Sequence, residues 1–263
     1  MRASYFLILF CSILSSSSYA SDTEREKRIA DSIKDNIITA NIVSLKTADG
    51  EFISLINDEE SDKSRGSVII IHGMGSNPDS PLVIQPLRNQ LAKLGWVTAA
   101  IQLPILASNA SIKDYLALIQ PSAARIQASL DYMHEQYTNR PCVIIAHSLG
   151  ATMAVNFMAQ QQKLACDALV LIGLPTLATD LAEAQSLELL KKINIPTLDI
   201  FGSQDLDSVK GMATTRKLNF IKNNPFNRQI EISGADHYFN GLDETLVHSI
   251  HGWLNYTFKP KED

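Results

Sequence analysis

The chain has 263 residues, of which 45% are hydrophobic and 19% charged, and a formal net charge of −5. That balance excludes a disordered chain, and the acidic excess leaves no basic patch or stripe of the kind nucleic-acid binding requires. The length suits one large α/β domain as well as two small ones.

Arg2, the apolar run Tyr5 to Leu14 and the small residues Ser18 and Ala20 follow the order of a secretory signal peptide cleaved after Ala20. The run is shorter than the ~20 residues a membrane span needs, so no stable membrane anchor is expected. Cys11 is not read as a lipid-attachment site, because the bulky Phe10 stands where a small residue is wanted. The expected organisation is a leader over residues 1–20, a helical arm over 21–39 and an α/β domain over 40–263. The export signal points to secretion, with the periplasm as destination in a bacterial source.

Thr23 to Lys34 is charged and helix-compatible, an exposed arm to which the sequence assigns no sharper role. Asn41 to Thr47 and Glu51 to Asn57 alternate apolar and polar residues around Ala48-Asp49-Gly50, which predicts a hairpin. Six apolar runs follow, of the kind expected for doubly covered parallel strands: Ser67 to Ile71, Val97 to Ile101, Cys142 to Ala146, Ala168 to Ile172, Thr197 to Phe201 and Gln229 to Ile232. Between and after them, helices are expected over Leu82 to Leu94, Ile112 to Tyr137, Leu149 to Gln162, Asp180 to Lys192, Val209 to Asn223 and Asp243 to Tyr256. Alternation of this kind predicts an α/β fold, a mostly parallel sheet with helices on both faces. The short Leu174 to Asp180 connection leaves little room for a large cap domain. Cys142 and Cys166 each open an apolar run, and the sequence leaves open whether they form a disulfide or remain buried thiols.

The chemistry gathers at strand ends. Ala146-His147-Ser148-Leu149-Gly150 joins an apolar run to a helix-like stretch and reads as a nucleophile elbow, with small residues letting strand and helix approach around a strained serine. A serine hydroxyl needs a base, and His237, just after the last run, is the candidate; the base needs an acid to fix its tautomer. Asp205, in Gly202-Ser203-Gln204-Asp205, is preferred, with Asp207 the main rival and Asp180 a distant third. The order Ser148, Asp205, His237 is the serine, acid, histidine order that accompanies such an elbow. The backbone amides of Met74, in His72-Gly73-Met74-Gly75, and of Leu149 are the expected oxyanion donors.

Through these four motifs, the chain resembles the α/β-hydrolase superfamily over about residues 40 to 257. Within it, Gly95-Trp96 before the second core strand and Gln102-Leu103-Pro104 after it resemble a group of secreted bacterial proteins of uncharacterised function. The resemblance implies an eight-stranded, mostly parallel sheet and hydrolysis of carboxylic esters, thioesters or amides. Ala146 departs from the usual Gly but leaves the serine in place.

Each residue also has a structural reading. Ser148 would cap a helix, Asp205 sit in a turn and His237 lie on a surface loop. His72 and His147 are read as backbone-position residues of their motifs, with a place at the rim of the site as the alternative. His248 and His251 are spaced i, i+3 but lack further ligands nearby, so they are read as a helix face and no metal is expected. Leu103 to Leu106 and Leu174 to Leu177 would serve equally as an acyl pocket or as core. The expected function is a cofactor-free secreted serine hydrolase acting on a small-molecule ester or thioester. A non-catalytic binding or assembly protein on the same fold is the alternative from another class. An acyltransferase or peptidase is the alternative within the same chemistry.

Overall fold

The computed structural model describes residues 21–161 and 165–259; the expected leader lies outside them. Helix α1, Thr23–Asn36, is capped by the Asp22 side chain, which accepts from the Arg25 N–H. Strands β1, Asn41–Thr47, and β2, Gly50–Asn57, form the expected antiparallel hairpin, closing with Thr47 opposite Gly50. Then come β3 Gly66–Ile71, α2 Ile84–Lys93, β4 Trp96–Ile101, α3 Ile112–Tyr115, α4 Ile119–Gln136, β5 Cys142–His147, α5 Leu149–Gln160 and β6 Ala168–Ile172. The chain continues through α6 Ser186–Leu190, β7 Thr197–Gly202, α7 Asp207–Lys210, α8 Ala213–Phe220, β8 Arg228–Ile232 and α9 Asp243–Thr257.

Among the described residues, these strands make one eight-stranded sheet in the order β1-β2-β4-β3-β5-β6-β7-β8. The β1–β2 and β2–β4 pairs are antiparallel and all others parallel. Strands β3 to β7 are buried along their whole length, which explains why their sequences are continuously apolar instead of alternating. Their side chains still divide with period two. Ile69 and Ile71 join a core beneath α4 and α5, whereas Val68 and Ile70 join a second core beneath α1, α2 and α9. Helices therefore cover both faces, and the carboxyl ends of the parallel strands meet at one edge.

Three expected helices are interrupted. The Ile112 to Tyr137 stretch breaks at a 3-10 turn, Leu116–Leu118, because Pro121 has no N–H for an internal helical bond and fits only the first turn of α4. The Asp180 to Lys192 stretch holds only a 3-10 turn, Ala182–Ala184, and α6. Between them Gln185 takes a ψ of 66° and turns its side-chain amide to the Thr179 carbonyl. The Val209 to Asn223 stretch divides at Gly211 and Met212, where glycine's low helix propensity lets the chain leave α7.

The arm is not an exposed appendage. Glu26 is buried, pairs with Arg125 at 2.7 Å and accepts from the Ile105 N–H at 3.0 Å, while Arg125 lies over the Phe52 ring. These contacts tie α1 to α4, β2 and the loop after β4.

Cys142 and Cys166 form a disulfide with Cα atoms 4.9 Å apart, joining the start of β5 to the approach to β6. The sequence separation of 24 implies a stabilisation of about 3 kcal/mol, through the entropy removed from the unfolded chain. A Cys142→Ser/Cys166→Ser double variant is expected to melt about 10 °C below the wild type in a calorimetric scan. An unchanged melting temperature would mean that the bond adds nothing to stability.

Candidate active site

Ser148 lies between β5 and α5 with φ 55° and ψ −126°, a conformation that non-glycine residues rarely adopt. The turn is held by the Ser148 N–H, which donates to the Ile172 carbonyl at 2.8 Å. Gly150 passes so close to β3 that a Cβ there would lie 2.3 Å from the His72 carbonyl oxygen. A small residue at 150 is thus what allows α5 to begin directly after the serine.

The Ser148 hydroxyl donates to His237 Nε2 at 2.9 Å, and His237 Nδ1–H donates to Asp205 Oδ1 at 2.6 Å. The fold thus brings together three side chains from the ends of β5, β7 and β8. Asp205 is buried, which pushes its carboxyl up, but the hydrogen bond and charge of His237, with the Leu206 and Gly202 amides, outweigh this and hold it below its ordinary value. Of the rival acids, Asp207 is exposed at the first residue of α7 and Asp180 is exposed before the 3-10 turn. Neither bonds to His237 among the described residues.

Two glycines outside the elbow make this assembly possible. Gly173, at φ 57°, ends β6 beneath the histidine, where a Cβ would lie 3.0 Å from His237 Cε1 and 3.3 Å from Asp205 Oδ2. At Gly202 a Cβ would meet the Ala235 carbonyl at 2.1 Å. Gly173 follows β6 and Gly202 closes β7, which was the available signal, but their crowding comes from the loops after β7 and β8 and is not written locally.

His72 and His147 are more than motif spacers. Leu103 N–H donates to His72 Nε2 at 3.0 Å, which leaves the proton on Nδ1 to donate to the Gly73 carbonyl at 2.8 Å. The Gly73 carbonyl and the Met74 N–H belong to one planar trans peptide and point in opposite directions. By holding the carbonyl, His72 turns the Met74 N–H the other way. Arg25, on the arm, donates to the Gly75 carbonyl at 3.1 Å and fixes the far end of the same loop. Among the described residues neither the Met74 nor the Leu149 amide donates a hydrogen bond. His147 Nε2–H donates to the His237 backbone carbonyl at 2.9 Å.

Burial pushes both histidines down to about 4, helped at His72 by the charge of Arg125 and at His147 by that of His237. The unfolded chain therefore binds protons that the folded protein refuses. Their contribution to stability is full above the ordinary histidine value of about 6.5 and is lost as pH falls toward 4, at a cost of about 3 kcal/mol each. Melting temperature is expected to drop steeply between pH 7 and pH 4. In a His72→Gln/His147→Gln variant that folds, the slope in this window should flatten; an unaltered slope would assign it elsewhere.

Ser148 and His237 open into a cavity of about 600 Å³. Pro175 and Leu177 line it, whereas Leu174 is packed in the core. Leu103 and Ile105 do not, being packed in the core.

The family described as "Protein of unknown function (DUF3530)" matches residues 15–118 and 107–256. The chain belongs to this family. No functionally curated protein matches it. Among solved structures it is similar to XC6422 from Xanthomonas campestris, described as an α/β serine hydrolase without lid, at TM-score 0.67 and 14% identity, covering 86% of this chain and 98% of that one. Dienelactone hydrolase from Anabaena variabilis gives TM-score 0.66 and 19% identity over 84% of this chain and 100% of its own. Est1E from Butyrivibrio proteoclasticus gives 0.65 and 14% over 84% and 100%. The chain thus has the α/β-hydrolase fold, with no large cap among the described residues.

Proposed function

We propose that the protein is a serine hydrolase that cleaves a carboxylic ester or thioester through an acyl-enzyme. The observation that carries this reading is the unbroken line of hydrogen bonds from Ser148 through His237 to Asp205, at the floor of a cavity open to ligands. Ser148 Oγ attacks the carbonyl carbon while His237 Nε2 takes its proton. Asp205 holds the ring in the required tautomer and stabilises the imidazolium. The carbonyl oxygen becomes an oxyanion, for which the unpartnered amides of Met74 and Leu149 are the donors. One such donor is worth about 2.7–4 kcal/mol of barrier. The bond to the leaving oxygen or sulfur breaks as His237 returns the proton to it. Water, deprotonated by the same histidine, then releases the acid and restores Ser148.

Similarity of fold to hydrolases and esterases supports the reaction class but not a particular substrate. The apolar run at residues 5–14 and the disulfide support export to an oxidising compartment, the periplasm in a bacterial source.

The test is labelling of the folded protein with a fluorophosphonate, followed by mass-spectrometric mapping of the modified residue. Modification of Ser148 within minutes, prevented by prior heat unfolding, is the expected result. A folded protein that stays unlabelled would overturn the hydrolase reading in favour of a binding protein on this fold.

A further inference from the structure

The cavity over Ser148 is lined by apolar side chains interspersed with the hydroxyls of Ser76, Ser80 and Ser208. Among the described residues no Asp, Glu, Lys or Arg side chain lines it. Two charged groups beside the site are already engaged: Asp205 by His237, and Arg25 by the carbonyls of Leu106 and Gly75. Five of the ten large hydrophobic side chains exposed among the described residues stand on this cavity: Met74, Leu82, Ile112, Leu206 and Tyr238. Exposed apolar side chains concentrated in this way around one concave site mark it for an apolar ligand.

Strand order divides those walls into two flanks. The loop after β3 lies on one side of β5 and the loops after β6, β7 and β8 on the other. An ester attacked by Ser148 must put its leaving oxygen within reach of His237 Nε2, which assigns the leaving group to the β6–β8 flank. The acyl chain is left with the β3 flank, where Met74, Leu82, Ile84 and Ile112 stand.

One strained residue stands on this flank. Val83 has φ 65° and ψ −59°, and the Ile84 N–H donates to the Leu82 carbonyl at 2.7 Å. This is the γ-turn with positive φ, a rare and strained form, and its central residue is β-branched, where glycine would sit without cost. The turn holds Leu82 and Ile84, the residues on either side of it, on the cavity wall. Strain of this kind persists where surrounding structure enforces it and is concentrated at ligand sites.

We infer that the β3 flank, built from Met74, Leu82, Ile84 and Ile112, is an acyl subsite for an uncharged, extended aliphatic chain. The inference rests on the serine-hydrolase reading and specifies its substrate class. An acyl group with a carboxylate or ammonium at its far end would lose hydration against walls that carry no charged side chain among the described residues. Each added methylene buried on the flank multiplies kcat/KM about three- to fourfold until the subsite is filled.

The experiment is steady-state hydrolysis of p-nitrophenyl esters with unbranched acyl chains of two to twelve carbons, beside an ω-carboxylate acyl ester of matched length. Rising kcat/KM along the series and at least tenfold discrimination against the carboxylate are expected. Leu82→Asp should lower the octanoate-to-acetate ratio about tenfold or more. Leu218→Asp, an exposed substitution outside the cavity, should leave the ratio as in the wild type. A flat series, preference for the carboxylated acyl group, or an unchanged ratio in Leu82→Asp would overturn the acyl subsite while Ser148 labelling sustains the hydrolase reading. No turnover of any ester together with no labelling overturns both.

Discussion

Ser148→Gly is expected to melt about 2–4 °C above the wild type while losing about 10⁶-fold in turnover of any ester it cleaves. The two effects have one origin. Ser148 holds φ 55° and ψ −126°, a backbone state whose strain costs a side-chain-bearing residue about 1–3 kcal/mol and glycine almost nothing. Glycine gives back about 0.4–1 kcal/mol through the greater freedom of the unfolded chain, leaving a net gain of about 1 kcal/mol. Ser148→Ala loses the same hydroxyl but keeps a Cβ, so it should lose turnover without the rise in melting temperature. Calorimetry on the three proteins separates strain from chemistry. If Ser148→Gly melts below the wild type, the elbow is not strained; if it retains turnover, the nucleophile lies elsewhere.

Asp205→Asn is expected to lower kcat by about 10⁴-fold with little change in KM, because the amide would offer His237 the wrong hydrogen-bonding partner and favour the wrong tautomer. Asp207→Asn should stay within about twofold of the wild type, since Asp207 is exposed at the start of α7. Kinetics on one ester across both variants decides which carboxylate serves the histidine. Equal losses would mean that the acid is shared, and loss only in Asp207→Asn would reverse the assignment.

Sequence reading located the hairpin and strands β3 to β7 because fully covered strands must be apolar end to end, a local and continuous signal; β8 was expected to be covered in the same way, but it is the partly exposed edge strand, in which Ile230 and Ile232 alternate with polar residues. Ser148, Asp205 and His237 were legible because each follows a parallel strand, and parallel strands bring their carboxyl ends to one edge of the sheet. Interrupted helices were not legible. Apolar spacing continues past Gln185 and past Gly211 even though the backbone departs there from helical form. The docking of the arm was equally hidden, since the Glu26–Arg125 pair joins residues 99 positions apart. The orienting work of His72 depends on Leu103, thirty-one positions on, and no motif spacing encodes it.

The sheet order has a consequence for how this protein can change. Because β3 and the β6–β8 group stand on opposite sides of β5, the two halves of an ester would be met by stretches of chain far apart in sequence, residues 73–112 and 175–238. Substitutions well separated across the two flanks should combine with nearly additive free energies. Preference for the acid and preference for the alcohol would then be separable traits, free to drift one at a time while the serine, its base and its acid stay fixed between them.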